Sequence, residues 1–268
     1  MGEAFSTRYG PWALVLGASN GIGAAFARQI AEQGVNVVLV ARSAGPLEEA
    51  AADVASGTGV ETRALAIDLT AHDMLEQLAA GTEDLDVGLV VYNAGADRVD
   101  YFLRRPQADA DFIVRLNCVG PAKVAYHFGR RLTERGRGGL ILVSSLAALS
   151  GCAGTAVYSA SKAFDQLLAE SLWFEWAPRG VDVLCLLAGV TDTPSFRNAG
   201  ADPEQYGGMD SGDVAREGLE NLANGPTWVA GESNRAMFDA VCTVPRRDMV
   251  TAVSGMVRDM WDLGDPST

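Results

Sequence analysis

The stretch that decides the fold is WALVLGASNGIG, residues 12–23. Trp12–Leu16 has the composition of a short buried strand, and a run of helical period extends from Ile22 to Glu32. Glycines allow positive φ and close approach of the backbone to a ligand, and the start of a helix offers unpaired N–H groups to an anion. This strand–turn–helix unit therefore predicts a dinucleotide-binding site, with a tight turn that binds nothing as the alternative.

Outside this unit, short apolar runs alternate with segments of helical period. The candidate strands are Trp12–Leu16, Asn36–Ala41, Thr62–Ile67, Asp86–Tyr92, Leu140–Ser144, Val181–Leu187 and Thr227–Ala230. The candidate helices are Ile22–Glu32, Leu47–Ala55, Asp109–Arg135, Val157–Trp176 and a terminal helix over Arg247–Asp262. Strands that are apolar on both faces and alternate with helices predict a doubly wound, Rossmann-like α/β fold with a parallel sheet.

The length of 268 residues suits one domain, 1–268, with two smaller domains as the alternative. Residues 190–210 interrupt the pattern, and the part from Ser195 to Asp210 is rich in Gly, Asn and Pro. Because such folds bind ligands at the ends of their strands, we expect 190–210 to form a substrate lid.

Composition and charge exclude several classes of protein. Apolar residues make up 48% of the chain, which is typical of a globular protein and not of a disordered one. The net charge of −13 argues against binding to nucleic acid or to an anionic membrane. The local cluster of Arg130, Arg131, Arg135 and Arg137 is better explained as a solvated helix end. No apolar run reaches the roughly 20 residues of a membrane-spanning helix, and no signal peptide is apparent.

Cysteine and histidine offer no framework for a metal or for disulfides. Cys118, Cys152, Cys185 and Cys242 form no CxxC pair, so we expect four free, mostly buried thiols in a cytoplasmic protein. The only histidines, His72 and His127, are far apart in the sequence, which argues against a metal centre.

The residues after the second strand bear on the choice of dinucleotide. Proteins that prefer NAD usually place an acid about 20 residues past the glycines, and positions 41 and 42 hold no acid. Arg42 instead offers a planar cationic fork that suits a phosphate dianion, and Ser43 can add a hydroxyl. The alternative is an exposed arginine that begins a loop.

The most specific motif is Tyr158-Ser159-Ala160-Ser161-Lys162. Tyr158 and Lys162 share one face of a helix, one turn apart. An ammonium near a phenol favours the phenolate, so we expect the pKa of Tyr158 to lie below its reference value of about 10, which would suit a general acid/base. Ser145 ends a strand thirteen residues earlier, where its hydroxyl and the phenol could together hold a carbonyl oxygen.

Together these motifs resemble the short-chain dehydrogenase/reductase family, and the resemblance extends to about residue 195. The glycine turn has that family's GxxxGxG spacing, with Leu16 where a threonine is usual. Asn93-Ala94-Gly95 is similar to the family's NAG turn, but Tyr92 precedes it where a second asparagine is frequent. Ala188 stands in place of the proline of the family's PGxxxT segment.

The resemblance implies an oxidoreductase with NADP(H) as its cofactor. It implies that Tyr158 is the acid/base and that Ser145 polarises the carbonyl. Lys162 would bind the nicotinamide ribose and tune Tyr158, while Asn117 would support a water that leads protons to Lys162. The implied cofactor-binding residues are Gly17, Ser19, Asn20, Gly21, Ile22, Gly23, Arg42, Ser43, Asp68, Leu69, Asn93, Ala94, Gly95, Tyr158, Lys162, Gly189, Val190, Thr191 and Thr193.

We therefore expect hydride transfer between NADPH and a carbonyl or secondary alcohol of a small molecule. The alternatives are a cofactor-binding regulator with vestigial activity, and an isomerase or dehydratase on the same scaffold. The segments expected to line the substrate pocket are 96–105, 146–155 and 190–209. They contain few charges with an obvious target, and their apolar and aromatic members are Phe102, Leu146, Leu149, Phe196, Tyr206 and Met209. The predicted substrate is therefore largely apolar.

Two further expectations concern relatives and assembly. Tyr9-Gly10-Pro11-Trp12 is similar to the hydroxysteroid and long-chain 3-oxoacyl reductase branch of the family. Trp173, Phe174 and Trp176 would form a large aromatic surface on one long helix. The resemblance implies that the long helices over Asp109–Arg135 and Val157–Trp176 pack against their symmetry mates, so we expect a homodimer or homotetramer with two-fold interfaces.

Overall fold

The computed structural model describes residues 2–241 and 243–265 and contains a main sheet of seven parallel strands. The strands are β1 (Trp12–Leu16), β2 (Asn36–Ala41), β3 (Thr62–Ala66), β4 (Val87–Tyr92), β5 (Gly138–Ser145), β6 (Val181–Ala188), β7 (Thr191–Asp192), β8 (Met209–Asp210) and β9 (Thr227–Val229). The main sheet has the order β3-β2-β1-β4-β5-β6-β9, and β7 pairs with β8 in a separate small sheet. The predicted Rossmann-like α/β fold is confirmed.

Helices cover both faces of the main sheet. They are α1 (Gly2–Tyr9), α2 (Gly21–Glu32), α3 (Ala44–Thr58), α4 (Met74–Gly81), α5 (Gln107–Val114), α6 (Gly120–Arg135), α7 (Ala156–Trp176), α8 (Pro194–Asn198), α9 (Ser211–Glu220), α10 (Glu232–Val241) and α11 (Arg246–Trp261). Along β1, Ala13 and Val15 pack in a core shared with α2, α3 and α9, while Leu14 and Leu16 pack in a second core with α4, α6 and α7. Strands buried on both faces need continuous apolar runs, which explains why the sequence shows them.

The predicted elements differ from the observed ones mainly at their ends. Strands β1 and β2 occupy the predicted residues, and the terminal helix is confirmed as α11. The prediction of one regular helix over Asp109–Arg135 is wrong, because a π-helical turn at Arg115–Val119 separates α5 from α6. In that turn the Gly120 N–H donates to the carbonyl of Arg115. Pro121 lacks the amide hydrogen that an α-helix would pair with the carbonyl of Asn117.

The segment from 190 to 210 has more local structure than its composition indicated. It contains β7, the short helix α8, a 3₁₀ turn at Pro203–Tyr206 and β8. The terminal helix α11 lies nearby, and the Phe196 and Trp261 rings are 5.5 Å apart. The loop before α7 is tied to α11 by a 3.0 Å hydrogen bond from the Ala153 N–H to Ser254 Oγ. The two segments therefore lie on the same side of the molecule as the loop that precedes α7.

The cysteine prediction is confirmed only for part of the chain. Within residues 2–241 and 243–265, Cys118, Cys152 and Cys185 are free, the first half-buried and the other two buried. Cys242 lies outside the described residues.

Within residues 2–241 and 243–265, no helix has the length and apolar character to cross a bilayer. No group of three or more His, Cys, Asp or Glu side chains suited to a metal ion occurs among these residues.

The strand order places one crevice at the carboxyl edge of the sheet. The chain builds β1, β2 and β3 in one direction and then returns past β1 to form β4 on its other side. Doubly wound sheets bind ligands where the order reverses in this way, because the loops after the two central strands separate there. The glycine turn after β1 and the Asn93 turn after β4 face this crevice.

Candidate active site

The glycine turn is held closed by the loop that follows β4. Gly17 has a φ of +83° and Gly21 a φ of +54°, which side chains rarely adopt. Asn93 Nδ2 donates a 2.9 Å hydrogen bond to the Gly17 carbonyl oxygen. A β-carbon at Gly23 would lie 2.0 Å from that same oxygen. Glycine at position 23 therefore lets the start of α2 approach the turn.

The start of α2 leaves hydrogen-bond donors for an anion. Its N-cap, Asn20, makes no capping hydrogen bond within the described chain, and its Nδ2 lies 3.4 Å from Ser19 Oγ instead. The first amide groups of a helix have no partner inside the helix, so those from Gly21 to Gly23 remain available. The Ile22 side chain is partly buried and packs against the core. Uncapped amides beside a tight glycine turn are the donor set that a pyrophosphate requires.

The end of β2 lies against this turn. The Gly17 and Ala18 amides donate to the Val40 carbonyl at 2.8 and 3.1 Å. Arg42 and Ser43, which follow, are both exposed at the same edge. Arg42 and Ser43 therefore lie at the same edge of the sheet as the glycine turn, and their role in binding a phosphate stays a prediction.

Asp68 and Leu69 follow β3 at the neighbouring position. Hydrogen bonds from the Thr70 backbone and side chain lower the pKa of Asp68, and the positive charge of Arg42 adds to this effect. Asp68 is thus a carboxylate close to Arg42. Leu69 is buried in the core near α4, so its side chain packs rather than faces the crevice.

The loop after β4 is pinned to α7 through Asn117. The Asn117 side chain is fully buried, and its Oδ1 accepts a 3.1 Å hydrogen bond from the Ala96 N–H. Its Nδ2 donates to the Ala96 carbonyl at 3.0 Å and to Ser161 Oγ at 2.9 Å. The side chain thus holds the loop and the helix together. The predicted role in a water relay stays a prediction.

Ser145, Tyr158 and Lys162 are brought together at the end of β5 and the start of α7. The Ser145 hydroxyl is close enough to the Tyr158 phenol to lower the pKa of the phenol, and its oxygen accepts a 3.2 Å hydrogen bond from the Ala147 N–H. Lys162 Nζ lies 5.8 Å from the centre of the Tyr158 ring. A β-carbon at Gly95 would stand 3.3 Å from Lys162 Nζ, so the ammonium borders the crevice beside the β4 loop. These three side chains can hold a carbonyl oxygen and exchange a proton with it.

The pKa of Tyr158 departs from the prediction. Burial raises it above its ordinary value, and the positive charge of Lys162 opposes that effect without overcoming it. The expectation that Lys162 brings the pKa below its reference value is therefore wrong for the protein by itself. The physical reason is that removing a phenolate from water costs more than one nearby ammonium returns. A protonated phenol at neutral pH is suited to donate a proton.

The predicted cofactor-binding residues after β6 lie in different surroundings. Gly189 packs against the Asn234 side chain of α10, and the Val190 carbonyl accepts a 2.9 Å hydrogen bond from the Met209 N–H. Thr191 is buried, and its hydroxyl donates to the Gly189 carbonyl.

Thr193 is the member of this set that reaches the glycine turn. Its methyl group would lie 3.0 Å from a β-carbon at Gly21. Its hydroxyl accepts from the Phe196 N–H at the start of α8. Thr193 therefore lies against the glycine turn.

A cavity of about 490 Å³ opens beside Tyr158. Phe102 lines it as predicted, but Leu146, Leu149, Phe196, Tyr206 and Met209 do not. Its wall combines apolar side chains with charged ones, which include Asp97, Arg98, Arg105 and Asp109. This cavity thus has more charges in its wall than the sequence indicated, because the loop after β4 and the start of α5 border it; Arg98 and Arg105 are partly exposed.

Two acids of the site were missed from the sequence. Asp97 lines the cavity with Tyr158, and burial raises its pKa to about 6. Asp165 lies one helical turn beyond Lys162 and makes an ion pair with it at 3.1 Å. The spacing of Lys162 and Asp165, three residues apart in a helix, was the available signal for the second of these.

Comparisons with known proteins agree with this geometry. The model of a family described as short chain dehydrogenase matches residues 11–204. A 7beta-hydroxysteroid dehydrogenase of Clostridium sardiniense is 34% identical over 258 residues, which cover 96% of this chain and 99% of that protein. A very-long-chain 3-oxoacyl-CoA reductase of Anas platyrhynchos is 31% identical, with 81% of this chain and 72% of that protein covered.

Solved structures show the same similarity. A structure from a study of 7beta-hydroxysteroid dehydrogenase stereoselectivity superposes with a TM-score of 0.87 at 29% identity and covers 94% of this chain and 99% of that one. A short-chain dehydrogenase from Sphingobium yanoikuyae in complex with NADPH gives a TM-score of 0.79 at 27% identity, with 90% and 95% covered.

The tight contact at Gly23 generates a prediction. We expect Gly23→Ala to lower the unfolding free energy by about 1–3 kcal/mol, because the new methyl group must displace the Gly17 carbonyl or the Asn93 amide. Thermal or denaturant unfolding measures this change. Gly45→Ala in α3 is the matched control, since among the described residues no atom outside its own stretch of helix lies within 4 Å of a β-carbon there. Equal stability losses in the two variants would contradict the assignment.

Proposed function

The chain belongs to the short-chain dehydrogenase family, and we propose that it is an NADP(H)-dependent oxidoreductase that interconverts a carbonyl group and a secondary alcohol. The observation that carries the proposal is the convergence of Ser145, Tyr158 and Lys162 beside Gly95, at the crevice that the glycine turn borders. Relatives along nearly the whole chain are named dehydrogenases or reductases, which supports the same reaction class.

The cofactor-binding residues fit a dinucleotide phosphate. The uncapped amides from Gly21 to Gly23 suit the pyrophosphate, and Arg42 with Ser43 suits the additional phosphate of NADP(H). A similar structure that holds NADPH supports this choice. When bound, the nicotinamide supplies or accepts the hydride at the carbonyl carbon.

The protein's own residues handle the proton and the charge on oxygen. Tyr158 donates its phenolic proton to the substrate oxygen during reduction, and its raised pKa keeps that proton in place at neutral pH. The Ser145 hydroxyl donates a hydrogen bond to the same oxygen as negative charge develops there. Lys162 provides a fixed positive charge next to both the phenol and the β4 loop.

The substrate is proposed to enter the cavity beside Tyr158. A cavity of about 490 Å³ accommodates a bulky molecule, and Phe102, Leu103 and Ile113 offer it apolar contacts. Arg98 and Arg105 line the same cavity, so a substrate with a largely apolar body and a polar group fits its wall. Hydroxysteroid dehydrogenases and long-chain 3-oxoacyl reductases among the relatives support a substrate of this kind. The segment 190–210 is proposed as the lid.

The basic test is whether the purified protein oxidises NADPH with a panel of bulky ketones. We expect ketone-dependent loss of NADPH absorbance. Binding of NADPH without turnover would instead indicate a regulatory protein, and conversion of a substrate without a net change in NADPH would indicate an isomerase or a dehydratase. A cytoplasmic location stays a prediction.

The first prediction concerns the cofactor. We expect kcat/KM to favour NADPH over NADH by more than about tenfold, the effect of one charge-assisted contact of roughly 1.4 kcal/mol between Arg42 and the phosphate. Arg42→Asp should reverse the preference. Arg137→Asp makes the same charge change at an exposed position before β5 and should not alter it. Equal kcat/KM for the two cofactors in the unmodified protein would refute this assignment.

The second prediction concerns the proton donor. Tyr158→Phe keeps the ring and removes the hydroxyl, so we expect near-normal NADPH binding and a kcat at least about 10²-fold lower. Steady-state rates and fluorescence titration of NADPH measure the two effects. Tyr126→Phe removes a hydroxyl from an exposed tyrosine and should leave both unchanged. If Tyr158→Phe retained more than about a tenth of kcat, another group would have to be the acid.

The third prediction concerns assembly. Trp173 and Trp176 pack partly into the core, so the apolar surface differs from the one expected. Its exposed members on α7 are Phe164, Leu167 and Phe174, and Tyr126 is exposed on the adjacent α6. We propose that this surface joins copies of the chain in a dimer or tetramer.

Light scattering at micromolar concentration should therefore report two or four times the mass of one chain. We expect Leu167→Glu to shift the mass towards the monomer. Met237→Glu, on a half-exposed methionine of α10, is the control that should not. A monomeric mass for the unmodified protein would argue against the assembly.

A further inference from the structure

The proposed reaction leaves one buried charged group without a role. Asp165 lies one turn beyond Lys162 on α7, and its Oδ2 is 3.1 Å from Lys162 Nζ. The two side chains are 4% and 5% exposed. The second partner of the ammonium is the carbonyl oxygen of Val143 on β5, at 2.9 Å. Asp165 Oδ1 is buried and has no hydrogen-bond partner among the described residues.

A carboxylate at this position is costly to the fold. Burial raises the pKa of Asp165 to about 6, although the positive charge of Lys162 opposes the change. The surrounding face of α7 packs on the apolar core between the sheet and α6. An apolar side chain would avoid both the desolvation and the unpaired oxygen, because buried ion pairs often contribute less stability than well-packed hydrophobic residues. Packing therefore does not explain this residue.

We propose that Asp165 is a positioning residue that acts through Lys162, holding its ammonium charged and fixed at the crevice beside Gly95 and Tyr158. This inference rests on the proposed function, in which Lys162 and Tyr158 serve the reaction. Asp165 is buried about two helical turns beyond Tyr158 on α7, and its contact is with Lys162 Nζ. It therefore needs no contact with the cofactor or the substrate.

The charges around the pair identify Asp165 as the counter-charge. Burial is the largest effect on the pKa of Lys162 and lowers it. The charge of Asp165 and its hydrogen bond with Lys162, together with smaller contributions from Tyr158 and Cys185, raise it by more in sum, so the net pKa lies above the ordinary value. Four other titratable groups face the pair: Tyr158 on α7, Tyr92 on β4, Cys118 in the π-helical turn and Cys185 on β6. Two acids lie one step farther out, Asp97 facing Tyr158 and Glu170 facing Cys185. Burial raises the pKa of Cys118 to about 11 and also raises those of Tyr92 and Cys185. These three groups are therefore neutral near neutral pH, where Lys162 is charged.

The direction of the pH effect follows from these charges. The raised pKa of Lys162 keeps the ammonium charged as the pH rises through the usual lysine range. Asp165→Asn removes the counter-charge, so the pKa of Lys162 should fall. The same substitution removes a negative charge that raises the pKa of Tyr158. Earlier loss of either proton moves the alkaline limit of carbonyl reduction to lower pH.

The titration of Lys162 can be measured directly, because Lys123 and Lys162 are the only lysines of the chain. Protein labelled with ¹³C- and ¹⁵N-lysine should give two side-chain signals, and Lys123→Arg assigns them. From about pH 6 to about pH 10, we expect the Lys162 signal of the unmodified protein to remain that of an ammonium. In Asp165→Asn it should titrate at least about one pH unit lower than in the unmodified protein.

Matched variants separate charge from structure. Glu170→Gln removes a negative charge from the same helix and should leave the Lys162 titration in place, since Glu170 bonds to Gln166 and Thr227 instead. Asp165→Glu keeps the carboxylate and should restore the high pKa of Lys162. Circular dichroism and thermal unfolding show whether each variant is folded. An unchanged Lys162 titration in folded Asp165→Asn would overturn the proposal.

The rate profile provides the second readout. For ketone reduction with NADPH, we expect the alkaline limit of kcat in Asp165→Asn to shift about one pH unit lower, with a smaller change near neutral pH. A uniform loss of rate with a parallel profile would indicate a structural role and contradict the proposal. If the unmodified protein reduces no ketone, the proposed function fails, and the lysine titration still decides whether Asp165 holds Lys162 charged.

Discussion

All strands of the main sheet run in one direction, so their carboxyl ends lie along one edge. Helices must bury both faces of such a sheet, which leaves the edge as the place where loops can carry polar groups. The glycine turn after β1, the Asn93 turn after β4 and Ser145 at the end of β5 meet there for this reason. The candidate site is thus a consequence of strand direction and strand order.

Hydrogen bonds from side chains inside the protein, most of them to backbone groups, hold the site together. Asn93 closes the glycine turn through the Gly17 carbonyl, and Asn117 joins the following loop to α7. Tyr92 occupies a position where the family frequently has asparagine, and its hydroxyl donates a 2.7 Å hydrogen bond to the Leu116 carbonyl. That bond ties β4 to the π-helical turn from which Asn117 projects. A departure from the family pattern therefore takes part in supporting the site.

Charge inside the molecule is concentrated on one helix. The chain uses arginine for nearly all its cations, and one of its two lysines is buried under Tyr158. A lysine, unlike an arginine, can lose its proton when it is buried, so its charge depends on its neighbours. The ion pair with Asp165 supplies that dependence. Burial is the main cause of the raised pKa of the phenol beside it.

The sequence by itself determined the fold class, the strands of the main sheet and the helical spacing of the proposed reactive side chains. Buried parallel strands are continuous apolar runs, so β1 and β2 could be placed without a structure, and the spacing of Tyr158 and Lys162 already put them on one helical face. Only the tertiary structure decided the π-helical turn at Arg115–Val119, the charged wall of the cavity and the raised pKa of Tyr158. These three features depend on burial and on charges from distant parts of the chain, and neither can be inferred from the local sequence pattern.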